Sequence, residues 1–144
     1  MEYSNWTREK IQFNLPLVCT IHPRTENQLK QLGIKPAGIN IVPSIGYVKF
    51  LQLGTNARLV LTDSRGVQEE TCILGTPCVT LRYNTEIPET LDVGSNILAG
   101  TEPDNIVRCV KNMLNRSNTW NQPFGDGKAA ERIMNIIIDD LRLS

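Results

Sequence analysis

Several things are scarce in this sequence, and each shortage closes off a class of function. There is no charge surplus: Lys plus Arg is 15 and Asp plus Glu is 15, for a formal net charge of zero. Domains that bind nucleic acid carry a basic excess, so no nucleic-acid partner is expected. No apolar run approaches the roughly 20 residues needed to cross a bilayer. Met1-Glu2-Tyr3-Ser4 also lacks the basic-then-apolar layout of a secretion signal. No membrane partner is therefore expected, and the expected location is cytoplasmic. Histidine occurs once, at His22, with nothing nearby in sequence to complete a metal site or a nucleophile triad. The four cysteines, Cys19, Cys72, Cys78 and Cys109, fit no zinc spacing. They read as small buried thiols in a reducing compartment. A P-loop lysine motif and a Gly-x-Gly-x-x-Gly fingerprint are both missing.

What is present alternates between two periods. Short apolar runs at Leu17–Ile21, Ile39–Val42, Leu59–Thr62 and Cys78–Leu81 read as strands, with Asn96–Ala99 a weaker fifth. Runs this short and this apolar suit a parallel sheet covered on both faces. Between them fall helical stretches at Thr25–Leu32, Gly46–Leu53, Gly66–Leu74 and Asp104–Leu114, and Thr7–Phe13 precedes the first strand. A last helix, Lys128–Leu143, aligns Ala130, Ile133, Met134, Ile137 and Leu141 on one face. The alternation predicts an α/β fold: a Rossmann-like, doubly wound parallel sheet built from right-handed crossovers. A chain of 144 residues suits one domain with one core.

Ligands of open α/β sheets sit at the carboxyl ends of the strands. Four segments leave the predicted sheet there. In Thr62-Asp63-Ser64-Arg65-Gly66-Val67-Gln68-Glu69-Glu70 a strand runs into a helix that Asp63 or Ser64 could cap. A helix start offers free amides and partial positive charge to a phosphate, and Gly66 would let a ligand approach the backbone. An ordinary capped helix fits equally well. Glu69 or Glu70 could accept two ribose hydroxyls, or simply form a solvated acidic face. Arg82 could face phosphate oxygens or pair with Glu86. His22 follows the first strand, also at the carboxyl edge, and could be structural or catalytic. Phe50 is a core residue of its helix or the contact for a flat base. Phe124-Gly125-Asp126-Gly127 reads as a turn into the last helix.

Taken together, the segments resemble one family. Thr62–Glu70, then Gly75-Thr76-Pro77, then Leu81-Arg82 with Thr85-Glu86-Ile87-Pro88-Glu89, resemble the non-hydrolysing UDP-N-acetylglucosamine 2-epimerases. Their pattern is T-D-S-G-G-(I/V)-Q-E-E, G-x-P and R-x-x-T-E-R-P-E. His22-Pro23-Arg24-Thr25, Pro43–Phe50 and Pro123–Gly127 are similar to that family's H-P-R-T, P-x-x-Y-x-x-F and P-(Y/F)-G-D-G elements. The resemblance runs from about Leu17 to the C-terminus. It implies that residues 1–144 are a single, partial UDP-binding domain, the C-terminal half of a GT-B fold. By it, Ser64 and Gly66 would contact the diphosphate, Glu70 the ribose and Phe50 the uracil. His22 would face the interdomain cleft. Arg65 and Arg82 complete the expected UDP-binding set.

The implied reaction is an isomerisation that inverts C2 of the sugar. UDP is eliminated to leave a glycal and then added back, without metal or other cofactor. The catalytic carboxylates belong to the family's N-terminal domain. No catalytic residue is therefore expected here, and the chain alone is expected to be inactive. The chain departs from the pattern at Arg65, where the family has glycine, and at Ile87, where it has arginine. The H-R-x-E-N-type motif that opens the family's domain has no counterpart upstream of Leu17. Two alternatives compete: the UDP-sugar-binding half of a GT-B glycosyltransferase, and a non-catalytic binding or assembly module. With its first strand and partner domain missing and Ile136-Ile137-Ile138 broadening the last helix's apolar face, the chain is expected to form a homodimer. Leu17–Ile21 would pair with Leu59–Thr62, or another chain would fill the gap.

Overall fold

The computed structural model describes Phe13 and residues 15–142. The helix expected over Thr7–Phe13 lies outside the described residues apart from Phe13, which is in a turn. The chain divides into two compact units, residues 1–53 and 54–144.

In the first unit β1 (Val18–Ile21) pairs in parallel with β2 (Asn40–Pro43), from Val18 against Asn40 to Ile21 against Pro43. The crossover between them is α1 (Pro23–Gln31). α1 begins at Pro23 because proline has no amide to lose at a first helical position. Ahead of it, His22 caps the helix, its Nδ1 accepting the Arg24 amide at 3.2 Å. Of this unit's described residues only Ile21 is a buried hydrophobic. Cys19 is exposed, which corrects the expectation of a buried thiol: burial rises along β1 from exposed Val18 and Cys19 to buried Ile21, so the start of the strand lies uncovered. α2 (Tyr47–Asn56) follows and spans the boundary between the units.

The second unit holds the main core. β3 (Val60–Thr62), β4 (Cys78–Thr80) and β5 (Asn96–Leu98) form a parallel sheet in that order. The crossover from β3 to β4 is α3 (Arg65–Leu74). Between β4 and β5 lies α4 (Pro88–Asp92), and after β5 comes α5 (Pro103–Leu114). β4 is central, and all three of its residues are buried. Cys78 faces Thr71 of α3. Alternation puts Val79 on the other face, where it is fully buried too. Both faces of the strand are covered, as its apolar run predicted. From α5 the core gains Cys109, Val110 and Met113. α3 ends at Gly75, which takes the left-handed φ of 74° that glycine tolerates best. There Trp120 Nε1 donates to Cys72 O at 3.0 Å.

The Phe124–Gly127 turn leads into α6 (Ala129–Arg142) as expected. Asp126 accepts the Lys128 amide and a two-pronged contact from Arg132, 2.8 Å on each oxygen. The Arg132 guanidinium holds the Asp126 carboxyl below its ordinary pKa. The helix exists where its periodicity placed it, but none of its residues is buried. Ile136 is 69% exposed and Leu141 71%. The apolar stripe therefore faces solvent in the single chain.

Candidate nucleotide-binding site

β3 and β4 end side by side, with Thr62 opposite Thr80. The Leu81 amide donates to Thr62 O at 2.8 Å beyond the last ladder pair. This bond sets Asp63-Ser64 and Leu81-Arg82 as neighbouring exits from the carboxyl edge, about 5 Å apart by strand spacing. At the first exit the Thr62 hydroxyl accepts the Ser64 amide at 3.0 Å. That contact turns the chain from strand to helix.

Ser64 is the N-cap of α3, with extended backbone (φ −82°, ψ 131°), yet its side chain makes no cap hydrogen bond. The first intrahelical bond is Gln68 N to Ser64 O at 3.3 Å. The amides of Arg65, Gly66 and Val67 precede it and have no acceptor within the helix. They form an uncapped anion-attracting end. Ser64, Arg65 and Gly66 are exposed, and a Cβ built on Gly66 would meet nothing within 4 Å. The space over this turn is open.

Two cations stand at the edge. Arg65 Nη2 lies 3.8 Å from Glu69 Oε1, and Arg82 Nη2 lies 3.7 Å from Glu86 Oε1. Both pairs are loose and solvent-facing, worth about 0–1 kcal/mol each. An arriving phosphate would displace either carboxylate at little cost. Glu70 is half-buried and takes no ion pair among the described residues. It sits one turn beyond Gly66 on the same helix face, a rise of about 6 Å. Helical side chains lean toward the N-terminus, the direction in which the open turn lies. Ile87 is only 4% exposed. The position where the family carries arginine is here part of the core.

The structure thus gathers Ser64, Arg65, Gly66, Glu70 and Arg82 at one sheet edge of the second unit. Phe50 and His22 belong to the first unit. Phe50 is half-buried on α2. His22 lines a cavity of about 290 Å³ together with Cys19, Ile21, Thr25 and Ile41. Among the described residues no three His, Cys, Asp or Glu side chains converge as a metal site would need.

Reading the sequence missed what lies beneath this edge. Gln68, Thr80, Thr85, Thr90, Ser95 and Asn96 form a connected polar network, of which all but Thr85 are buried. The signal was a polar residue in the stripe that Gln68, Thr71 and Cys72 make along α3 at spacings of three and four.

Residues 6–138 match the UDP-N-acetylglucosamine 2-epimerase family. The UDP-N-acetylglucosamine 2-epimerase of Methanococcus maripaludis is 50% identical over 129 residues, covering 86% of this chain and 35% of the relative. The structure of UDP-GlcNAc 2-epimerase from Methanocaldococcus jannaschii superposes with a TM-score of 0.80 at 46% identity, over 88% of this chain and 36% of that one. A second structure of the M. jannaschii enzyme, in complex with UDP-GlcNAc and UDP, gives a TM-score of 0.76 at 48% identity, over 84% and 35%. The chain spans about a third of the length of these relatives, with the α/β, GT-B-type fold they share. On this sequence and this fold, the chain belongs to the UDP-N-acetylglucosamine 2-epimerase family.

Proposed function

We propose that this chain is the UDP-binding domain of an enzyme that interconverts UDP-GlcNAc and UDP-ManNAc, the C-terminal half of its GT-B fold. The observation that carries the reading is the uncapped start of α3, with Gly66 in open space and Glu70 one turn on. The diphosphate lies over the amides of Arg65, Gly66 and Val67, near the Ser64 hydroxyl, with Arg65 and Arg82 as counter-charges. Glu70 accepts the ribose hydroxyls. The solved relative in complex with UDP-GlcNAc and UDP supports this ligand class. Phe50 as the uracil contact and His22 as a cleft residue rest on the family pattern alone.

In the reaction, cleavage of the bond from C1 to the diphosphate oxygen leaves negative charge on UDP. Fixed amides and two guanidinium groups stabilise that charge where it develops and hold UDP for re-addition to the glycal. The proton transfers at C2 fall to groups outside this chain. A backbone-amide NMR titration with UDP tests the assignment. The Ser64–Val67 amides should shift first and most. Shifts spread evenly, or confined to α5 or α6, would contradict it.

The partner proposed for the chain alone is a second copy, forming a cytoplasmic homodimer through the exposed stripe of α6. Apolar patches of this kind favour association. Sedimentation over a range of concentrations should show mass rising above 16.2 kDa. A concentration-independent 16.2 kDa species would exclude it.

A further inference from the structure

We infer that Gln68 is a positioning residue for the phosphate-gripping turn. It holds the start of α3 in register with the Arg82–Ile87 segment through its buried side-chain amide. The inference rests on the UDP-site reading and deepens it. Gln68 is 1% exposed. Its Nε2 donates to Ser64 O at 3.3 Å, the same oxygen that accepts the Gln68 backbone amide. Its Oε1 accepts from Thr85 Oγ1 at 2.6 Å and from Asn96 Nδ2 at 3.2 Å. Thr85 Oγ1 in turn accepts the Ile87 amide at 3.0 Å. Asn96 Nδ2 also donates to Thr90 Oγ1, and Asn96 Oδ1 accepts from Thr80 Oγ1 at 2.8 Å.

One amide group thus joins three elements: the N-cap of α3, the loop after β4, and β5. No buried side-chain polar atom among the described residues lacks a partner. An apolar side chain of equal size would fill the same volume but leave the Thr85 hydroxyl and an Asn96 amide hydrogen without their acceptor, which is destabilising. Beyond that stability, the network supplies one fixed geometry. Ser64 and the open amides stand on one side of the junction. Arg82 and Glu86 stand on the other. A diphosphate held by both sides needs their separation fixed before it arrives.

The test compares Gln68→Met, Thr85→Val and Thr85→Ser in the full chain, with amide exchange and UDP calorimetry well below the melting temperature. In Gln68→Met and Thr85→Val, exchange at Gln68, Glu69 and Ile87 should quicken by about tenfold, while Val79 and Ala99 in the sheet stay protected. UDP affinity should fall about fivefold in each, with Thr85→Ser restoring it. The double variant should be no worse than either single one. Uniform loss of protection, or unchanged affinity in a folded variant, would reduce Gln68 to a packing residue and overturn the inference. A wild-type chain that gives no heat with UDP would instead sink the UDP reading. The exchange pattern would still decide the role of Gln68.

Discussion

Arg65 and Glu69 face each other one turn apart on α3, Nη2 to Oε1, at 3.8 Å. The pair assigns the two neighbouring glutamates different states. Glu69 is engaged by a cation, while Glu70 takes no ion pair among the described residues. The Arg65 side chain is 60% exposed. A charge-assisted contact to phosphate is worth about 1.5–3 kcal/mol, more than a solvent-facing ion pair. Arg65 is therefore expected to leave Glu69 when UDP binds. Arg65→Gly should weaken UDP binding by about tenfold, read by calorimetry. Tighter binding would mean that the arginine obstructs the site.

Gly100 carries a φ of 64°, and a Cβ there would stand 2.4 Å from the Tyr83 ring. Gly75 has a similar φ of 74° with open space around it. Gly75→Ala should therefore cost only backbone strain, about 1–2 kcal/mol. Gly100→Ala should cost more, because Tyr83 must swing away and lose its 3.0 Å contact with Thr101. Adding Tyr83→Ala to Gly100→Ala should bring the loss back toward the Gly75→Ala value. Equal melting temperatures for the two single variants would refute the clash.

Thiol chemistry should divide the cysteines by place. Cys19 is exposed and Cys78 buried. Burial pushes the Cys78 thiol up to about 11 from 9.0, against partial relief from Thr71 and Thr80. Alkylation near neutral pH should label Cys19 quickly and leave Cys78 untouched until unfolding. Because folding raises this pKa, the folded state keeps a proton that the unfolded chain releases. The Cys78 contribution to stability is thus complete below pH 9.0 and declines as pH rises toward about 11. Cys78→Ala should flatten that alkaline decline. Fast labelling of Cys78 in the folded chain would contradict its burial.

All five strands lie within a residue or two of where the sequence placed them, because short apolar runs report directly on covered strands. α4 escaped notice for a physical reason: five residues led by Pro88 cannot display a 3.6-residue period. α6 shows the limit of periodicity. The stripe through Ile133, Ile137 and Leu141 marks a face suited to burial, but nothing in the pattern names what covers it. The Ser64–Glu70 segment was legible because strand, cap residue, glycine and carboxylates fall in one continuous run. Gln68 was hidden inside that run. Its partners Thr85 and Asn96 lie 17 and 28 residues away, and only the folded sheet brings them together.

A further outcome concerns the chain by itself. On the proposed reading this domain holds the nucleotide, and the base that acts at the sugar's C2 comes from elsewhere. Pure chain incubated with UDP-GlcNAc should yield no manno epimer by chromatography. Conversion by the chain alone would show that it carries the proton-transfer groups assigned elsewhere.

The most direct test of the UDP site separates two adjacent carboxylates. Glu69→Ala and Glu70→Ala remove similar charge from the same helix, and the proposed site gives only Glu70 to the ribose. Calorimetric titration with UDP should show Glu70→Ala losing affinity by about tenfold or more, as expected for hydrogen bonds to a charged group. Glu69→Ala should stay close to the unsubstituted chain, or bind slightly tighter as Arg65 is released. Equal losses in both variants, or a larger loss in Glu69→Ala, would contradict the assignment of Glu70 to the ribose.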